Sequence, residues 1–211
     1  MQWTLVIPLK PLERAKSRLT ASTGDTLRPG LALAFAQDTV AAAVACAAVK
    51  GVVVVTDDVL AGRELTSLGA RIVRDEPAGG LNAALAHGAA AVRAGQPETA
   101  LAALNADLPA LRPLELARVL DSAAYFPRSF LADAAGIGTT LLSAAPGTEL
   151  LPAFGAASRS RHSASGAVEL PLADVDSVRQ DVDTGEDLRT ALALGVGPRT
   201  AAAAARLLIA D

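Results

Sequence analysis

Through its first half the chain alternates short apolar runs with longer helical patterns, and the runs end on polar residues. This pattern predicts strands at Trp3–Ile7, Val52–Val55, Arg71–Arg74 and Ala100–Leu104, and helices at Leu31–Ala48, Leu60–Leu68, Asn82–Ala94 and Pro113–Ala124. An unbroken apolar run suits a strand buried on both faces. Strands separated by helices build a mostly parallel sheet with helices on its flanks. Pro29-Gly30 punctuates the start of the first helix. The second half is less regular. Phe130–Ala132, Thr139–Leu142 and Val168–Leu170 read as strands, and Thr184–Leu194 and Thr200–Ile209 as helices. Thr184 followed three residues later by Asp187 has the form of a capping box. With 211 residues and no Pro/Gly/Ser-rich linker, a single Rossmann-like α/β domain is expected over residues 1–211.

Composition removes several function classes. The formal charge is −3, from 19 basic and 22 acidic residues, which argues against a general nucleic-acid binder. One cysteine, Cys46, excludes an internal disulfide and a cysteine-cluster metal site. It sits in an Ala/Val-rich run and reads as a small core residue. Lys10 interrupts the first apolar run, so no secretory signal pattern forms, and the longest apolar run, near Ala41–Val49, is too short to cross a bilayer. A cytoplasmic protein without a membrane partner is expected. Neither a G-x-x-x-x-G-K-[ST] loop nor a G-x-G-x-x-G after the first strand is present, and neither is a G-x-S-x-G elbow. With only His87 and His162, a nucleophile–histidine hydrolase has little support.

What remains points to phosphate chemistry. The first strand runs into Pro8-Leu9-Lys10, followed by Arg14, Lys16 and Arg18. In open α/β sheets ligands dock beyond the carboxyl ends of strands, so this turn brings cations to an anionic ligand. Asp107 lies just past the Ala100–Leu104 strand, where a carboxylate can hold Mg²⁺ against phosphate oxygens or simply cap the turn. Asp181 and Asp183 fall on one face of an extended segment and can complete that metal site, or shape the turn before Thr184. Gly79-Gly80 precedes a helix and permits close backbone approach to a nucleotide. Asn82 can read a base edge or serve as the N-cap. Gly138-Thr139-Thr140 and Phe154–Ser158 offer hydroxyls and bare backbone, and Arg159, Arg161 and His162 follow in a polar segment that can wrap a small phosphorylated acid.

Taken together, V-I-P-L-K-P-L-x-x-A-K-S-R-L, G-G-L-N at Gly79–Asn82, N-A-D-L-P-A-L at Asn105–Leu111, G-T-T at Gly138–Thr140, F-G-x-x-S at Phe154–Ser158 and D-V-D-T at Asp181–Thr184 resemble the guanylyltransferases of coenzyme F-420 biosynthesis. The resemblance spans Trp3 to about Leu194. It implies a nucleotidyltransferase-like fold that joins GTP to a three-carbon phospho-acid and releases pyrophosphate. The acceptor it implies is phosphoenolpyruvate, with 2-phospho-L-lactate as the alternative. It places the acceptor at Thr140, Gly155 and Ser158, and Mg²⁺ at Asp107 with Asp181 or Asp183. Lys10, Lys16 and Arg18 then face the triphosphate, and Pro8, Leu9, Gly79, Gly80 and Asn82 the nucleotide. A non-catalytic nucleotide-binding regulator on the same fold is the reading from another class.

Overall fold

A computed structural model describes residues 1–14, 20–76 and 79–207. The chain runs β1 (Trp3–Pro8), a 3-10 turn (Leu12–Arg14), α1 (Thr20–Val44), β2 (Val49–Val55), α2 (Val59–Ser67), β3 (Arg71–Val73), α3 (Leu81–Arg93), β4 (Ala100–Leu104) and α4 (Pro113–Ala123). It continues through β5 (Arg128–Ala132), β6 (Thr139–Ala144), α5 (Ser158–Ala164), β7 (Val168–Glu169), α6 (Asp176–Arg179), α7 (Gly185–Leu194) and α8 (Pro198–Leu207). The strands form one seven-stranded sheet in the order β3-β2-β1-β4-β6-β5-β7. β6 runs antiparallel to both its neighbours, and every other pairing is parallel.

The strand residues alternate between two layers of core, as a two-faced sheet requires. Leu5, Ile7, Val52, Val54, Ala102 and Leu104 pack under α1, α2 and α4. Val6, Val53, Val55, Leu101 and Ala103 face α3. That second layer is tight: a Cβ added at Gly88 of α3 would lie 2.6 Å from side-chain carbons of both Val6 and Val55. Glycine at this position is what lets the helix sit so close to the sheet.

Two expected boundaries move. The first helix starts before Pro29, which lies inside it, and ends at Val44 rather than Ala48. The alanine-rich run looks helical throughout, but the chain must turn at Ala45–Ala48 so that the Ala48 carbonyl can accept from Trp3 N–H (2.9 Å) as β2 docks beside β1. Sheet pairing overrides alanine's helix propensity there. Cys46 is buried in this turn, as expected of a core residue. The capping box forms as read: Thr184 accepts from Asp187 N–H, and the Asp187 carboxylate accepts from Thr184 N–H (2.7 Å).

The topology creates one privileged rim. β1 is followed by β2 on one side and, later, by β4 on the other, so the chain reverses direction of winding between β1 and β4. Such a switch point leaves a crevice at the strands' carboxyl ends. Because β6 is inverted, its amino-terminal start, Gly138-Thr139, arrives at that same rim.

Candidate active site

A hollow of about 590 Å³ opens at this switch point. Pro8, Leu9 and Lys10 enter from the end of β1, and Asn105 and Asp107 from the end of β4. Gly138 and Thr139 come from the start of β6, Phe154, Gly155, Ala156 and Ala157 from the loop before α5, and Asp181 and Asp183 from the loop before α7. Segments far apart in sequence therefore line one hollow.

Hydrogen bonds fix each contributor. Leu9 N–H donates to the Val55 carbonyl (2.9 Å), extending the β1–β2 ladder into the turn. Asp58 accepts from Ala61 N–H at the start of α2 and from Leu12 N–H, both at 2.9 Å, which ties the turn after Lys10 to that helix. Around Asp107, the buried Thr39 hydroxyl of α1 accepts from Leu108 N–H (3.0 Å) and reaches the Ala106 carbonyl (3.2 Å). The Asp107 carbonyl accepts from Val182 N–H (3.1 Å), stitching the β4 end to the segment between Asp181 and Asp183. Asn105 Nδ2 adds a long contact to Asp181 Oδ2 (3.5 Å).

The far wall is held differently. Asn82 uses both ends of its amide on one residue: its Oδ1 accepts from Phe154 N–H (2.7 Å) and its Nδ2 donates to the Phe154 carbonyl (3.1 Å). His162, on α5, is fully buried between Phe130 and Phe154, whose rings lie 5.8 and 5.0 Å away. Its Nε2 accepts from Ala153 N–H (3.0 Å), so Nδ1 carries the proton and donates to the Thr139 hydroxyl (2.9 Å). Burial first, then the nearby Arg128 and Arg161 charges, pull its pKa down to about 4. The imidazole is neutral at physiological pH. Asp133 closes the β5–β6 hairpin by accepting from Ile137 N–H (2.9 Å) and Gly138 N–H (2.8 Å).

Several expected residues reach the hollow, and others do not. Pro8, Leu9, Lys10, Gly155, Asp107, Asp181 and Asp183 line it. Lys16 and Arg18 lie outside the described residues. Gly79 and Gly80 are exposed beside the hollow, which their neighbour Leu81 lines. Asn82 is not the N-cap: that place belongs to Gly80, at φ 90° and ψ −177° with no side-chain cap, a conformation open essentially to glycine alone. Thr140 and Ser158 are buried behind the surface. The β5–β6 register shifts so that Ala132 pairs with Thr139, and it is Thr139 that lines the wall. Arg159 is engaged with Glu169 and the Gly136 carbonyl, and Arg161 with the Phe154 carbonyl. Neither they nor His162 are among the lining side chains.

The described lining carries more acidic than basic groups. Among the described lining residues, Asp107, Asp133, Asp181 and Asp183 face Lys10 alone. No three His, Cys, Asp or Glu groups among the described residues form a ready-made cation cage. The donor set is carboxylate oxygen, the type that suits hard divalent cations whose remaining positions are filled by water or phosphate.

The family model described as guanylyl transferase CofC like matches residues 3–203. The chain belongs to this family. A phosphoenolpyruvate guanylyltransferase of Streptomyces avermitilis is 78% identical over 209 residues, covering 99% of this chain and 97% of the relative. One from Thermomonospora curvata is 60% identical, over 98% of this chain and 90% of the relative. Among solved structures, a nucleotidyl transferase from Methanothermobacter thermautotrophicus superposes with a TM-score of 0.66 at 22% identity, covering 92% of this chain and 97% of that one. A Mycobacterium tuberculosis protein solved in complex with manganese gives a TM-score of 0.55 at 19% identity, over 92% and 98% of the two chains. As a CofC-like guanylyltransferase, the chain is a nucleotidyltransferase enzyme, and the fold agrees with that of its structural neighbours. Among the described residues, no helix is long and apolar enough to cross a membrane.

Proposed function

We propose that the chain transfers GMP from GTP to phosphoenolpyruvate in the cytoplasm, as a step toward coenzyme F-420. The acceptor phosphate oxygen attacks the α-phosphorus, a new P–O–P bond forms, the α–β bridge breaks, and pyrophosphate leaves. The product is enolpyruvoyl-2-diphospho-5'-guanosine. The carrying observation is the single hollow in which Lys10, Asp107, Asp181 and Asp183 meet the small-residue loop Gly155–Ala157. The relatives named as phosphoenolpyruvate guanylyltransferases support the choice of acceptor.

The chemistry fits the residues. A phosphate monoester is largely dianionic near neutrality, its second pKa being about 6, so the nucleophile needs no general base. Neither histidine lines the hollow, and His162 already uses both ring nitrogens. The difficulty is repulsion: two unit charges about 4 Å apart cost roughly 4 kcal/mol at an effective dielectric of about 20. Four lining carboxylates raise that obstacle. Asp107, with Asp181 or Asp183, fits a divalent ion, taken here to be Mg²⁺. When bound, it would screen the phosphates and polarise the α-phosphoryl group. Lys10 faces the triphosphate, with Lys16 and Arg18 proposed beside it. Pro8, Leu9, Gly79 and Gly80 pack the nucleoside through backbone, and Asn82, proposed for the same ligand, pins Phe154 in the wall opposite Lys10. Thr140, Gly155 and Ser158 hold the phospho-acid, a reading supported by Gly155 in the hollow's lining and by the buried Thr140 hydroxyl, which has no hydrogen-bond partner among the described residues.

The test offers GTP and Mg²⁺ with phosphoenolpyruvate and 2-phospho-L-lactate in competition, and reads the diphosphate products by mass. The enolpyruvoyl product should dominate. Dominance of the lactyl product would reassign the acceptor, and GTP binding without turnover of either would make the chain a regulator.

A further inference from the structure

The loop Phe154–Ala157 and the start of β6, Gly138-Thr139, form one side of the hollow, yet they are not neighbours in the sheet or in sequence. Something must set their spacing, because a pocket for a three-carbon acid tolerates little error: a misplacement of about 1 Å can cost about 10²-fold in rate. A single buried side chain touches both. On α5, His162 lies one turn beyond Ser158, and both are buried. Its Nδ1–H donates to Thr139 while its Nε2 accepts from Ala153 N–H, immediately before Phe154. Its ring also meets Phe154 edge-to-face at 5.0 Å.

We infer that His162 is a positioning residue for the acceptor: it fixes the distance between the β6 start and the Phe154–Ala157 loop, and so sets affinity for the phospho-acid and not for GTP. Lys10 and the carboxylate loops are held by other bonds, to Val55, Thr39 and Val182. Disturbing His162 leaves those in place. A ring that must donate at Nδ1 and accept at Nε2 has to be neutral and in one tautomer. Burial beside Phe130, Arg128 and Arg161 keeps it so. The inference rests on the proposed transfer to a phospho-acid.

His162→Phe keeps an aromatic ring and deletes both hydrogen bonds. His162→Asn retains a donor near Nδ1, and His162→Gln an acceptor near Nε2. Steady-state kinetics would be run with whichever phospho-acid the parent enzyme turns over, with circular dichroism as the check on folding. His162→Phe should raise KM for the phospho-acid at least about tenfold and leave KM for GTP within about twofold. The Asn and Gln variants should each recover part of the loss. Should the Phe variant fail to fold, the same split in the Asn and Gln variants carries the test. Equal rises in both KM values, or no rise in either, in a folded variant would overturn the positioning role. Absence of turnover by the parent with either acid would instead overturn the proposed transfer and, with it, this inference.

Discussion

The two walls of the hollow are built by different means. The wall carrying Lys10, Asp107, Asp181 and Asp183 joins the ends of the parallel strands β1 and β4 to the loop before α7, and backbone hydrogen bonds such as Leu9 to Val55 and Val182 to Asp107 hold it. The wall opposite is made from the inverted strand and two loops, joined through side chains: Asn82 to Phe154, His162 to Thr139 and Ala153, Asp133 to Ile137 and Gly138. The first wall inherits its geometry from topology. The second owes its geometry to a few polar side chains, which hold the backbone of Ala153, Phe154, Ile137 and Gly138 and the Thr139 hydroxyl. A charged wall made by the sheet can lose a charge and keep its shape; a wall made by buried side chains loses shape when one is removed.

The largest expected effect tests the first half of that contrast. Asp107→Asn removes a charge but not the turn held by Thr39 and Val182. It should lower kcat by about 10²–10³-fold, the loss typical of deleting one electrostatic stabiliser, with a melting temperature close to the parent's. Near-normal turnover would break the assignment of the carboxylate wall.

Next comes the pH dependence of the second wall. His162 has a folded-state pKa of about 4 against about 6.5 in an unfolded chain. Between these values the unfolded chain binds more protons. The stabilisation is therefore full above about pH 6.5 and falls away as the pH drops through 4, by about 3 kcal/mol in all. Urea unfolding of the parent and of His162→Gln at pH 7.5 and pH 4 checks this: the parent should lose more stability on acidification than the variant. Parallel losses would show that this histidine does not control the wall.

Gly88→Ala probes the sheet side without touching either wall. Its new methyl group would meet Val6 and Val55 at 2.6 Å, and overpacking of that kind costs about 1–3 kcal/mol. Thermal or urea unfolding should show the loss while KM for the phospho-acid stays within about twofold. The smallest effect belongs to Thr184→Ala, which removes the cap of α7 beside Asp183. It should cost about 1 kcal/mol by urea unfolding and slightly weaken magnesium-dependent turnover, since only the anchoring of the Asp183 loop is loosened.

How much could be read beforehand follows the same division. Trp3–Ile7, Val52–Val55 and Ala100–Leu104 announce themselves as buried strands, and the polar residues that end them mark the site, so Lys10 and Asp107 were legible. The Thr184 cap and the arrival of Asp181 and Asp183 at the same hollow were legible too. The role of Thr39 was not, because a threonine inside a long helix carries no local mark of the turn it will grip. That Thr139 also lines the hollow is not legible in G-T-T, because the pairing of β6 with its neighbours decides which way each threonine points. Asn82 has the composition of a cap and Arg159–His162 that of an anion grip. Only folded neighbours convert them into fasteners for Phe154, Glu169 and Thr139.

By itself the sequence determined the alternation of strand and helix, the family, and the charged groups at the ends of β1 and β4, since apolar periodicity and short motifs are local properties of the chain. Tertiary structure decided that β6 is inverted, that acidic groups outnumber the described cations at the hollow, and that a neutral histidine stands behind its far side. Those outcomes depend on which distant segments pack together and on how far water is excluded between them, and neither is written in any single stretch of residues.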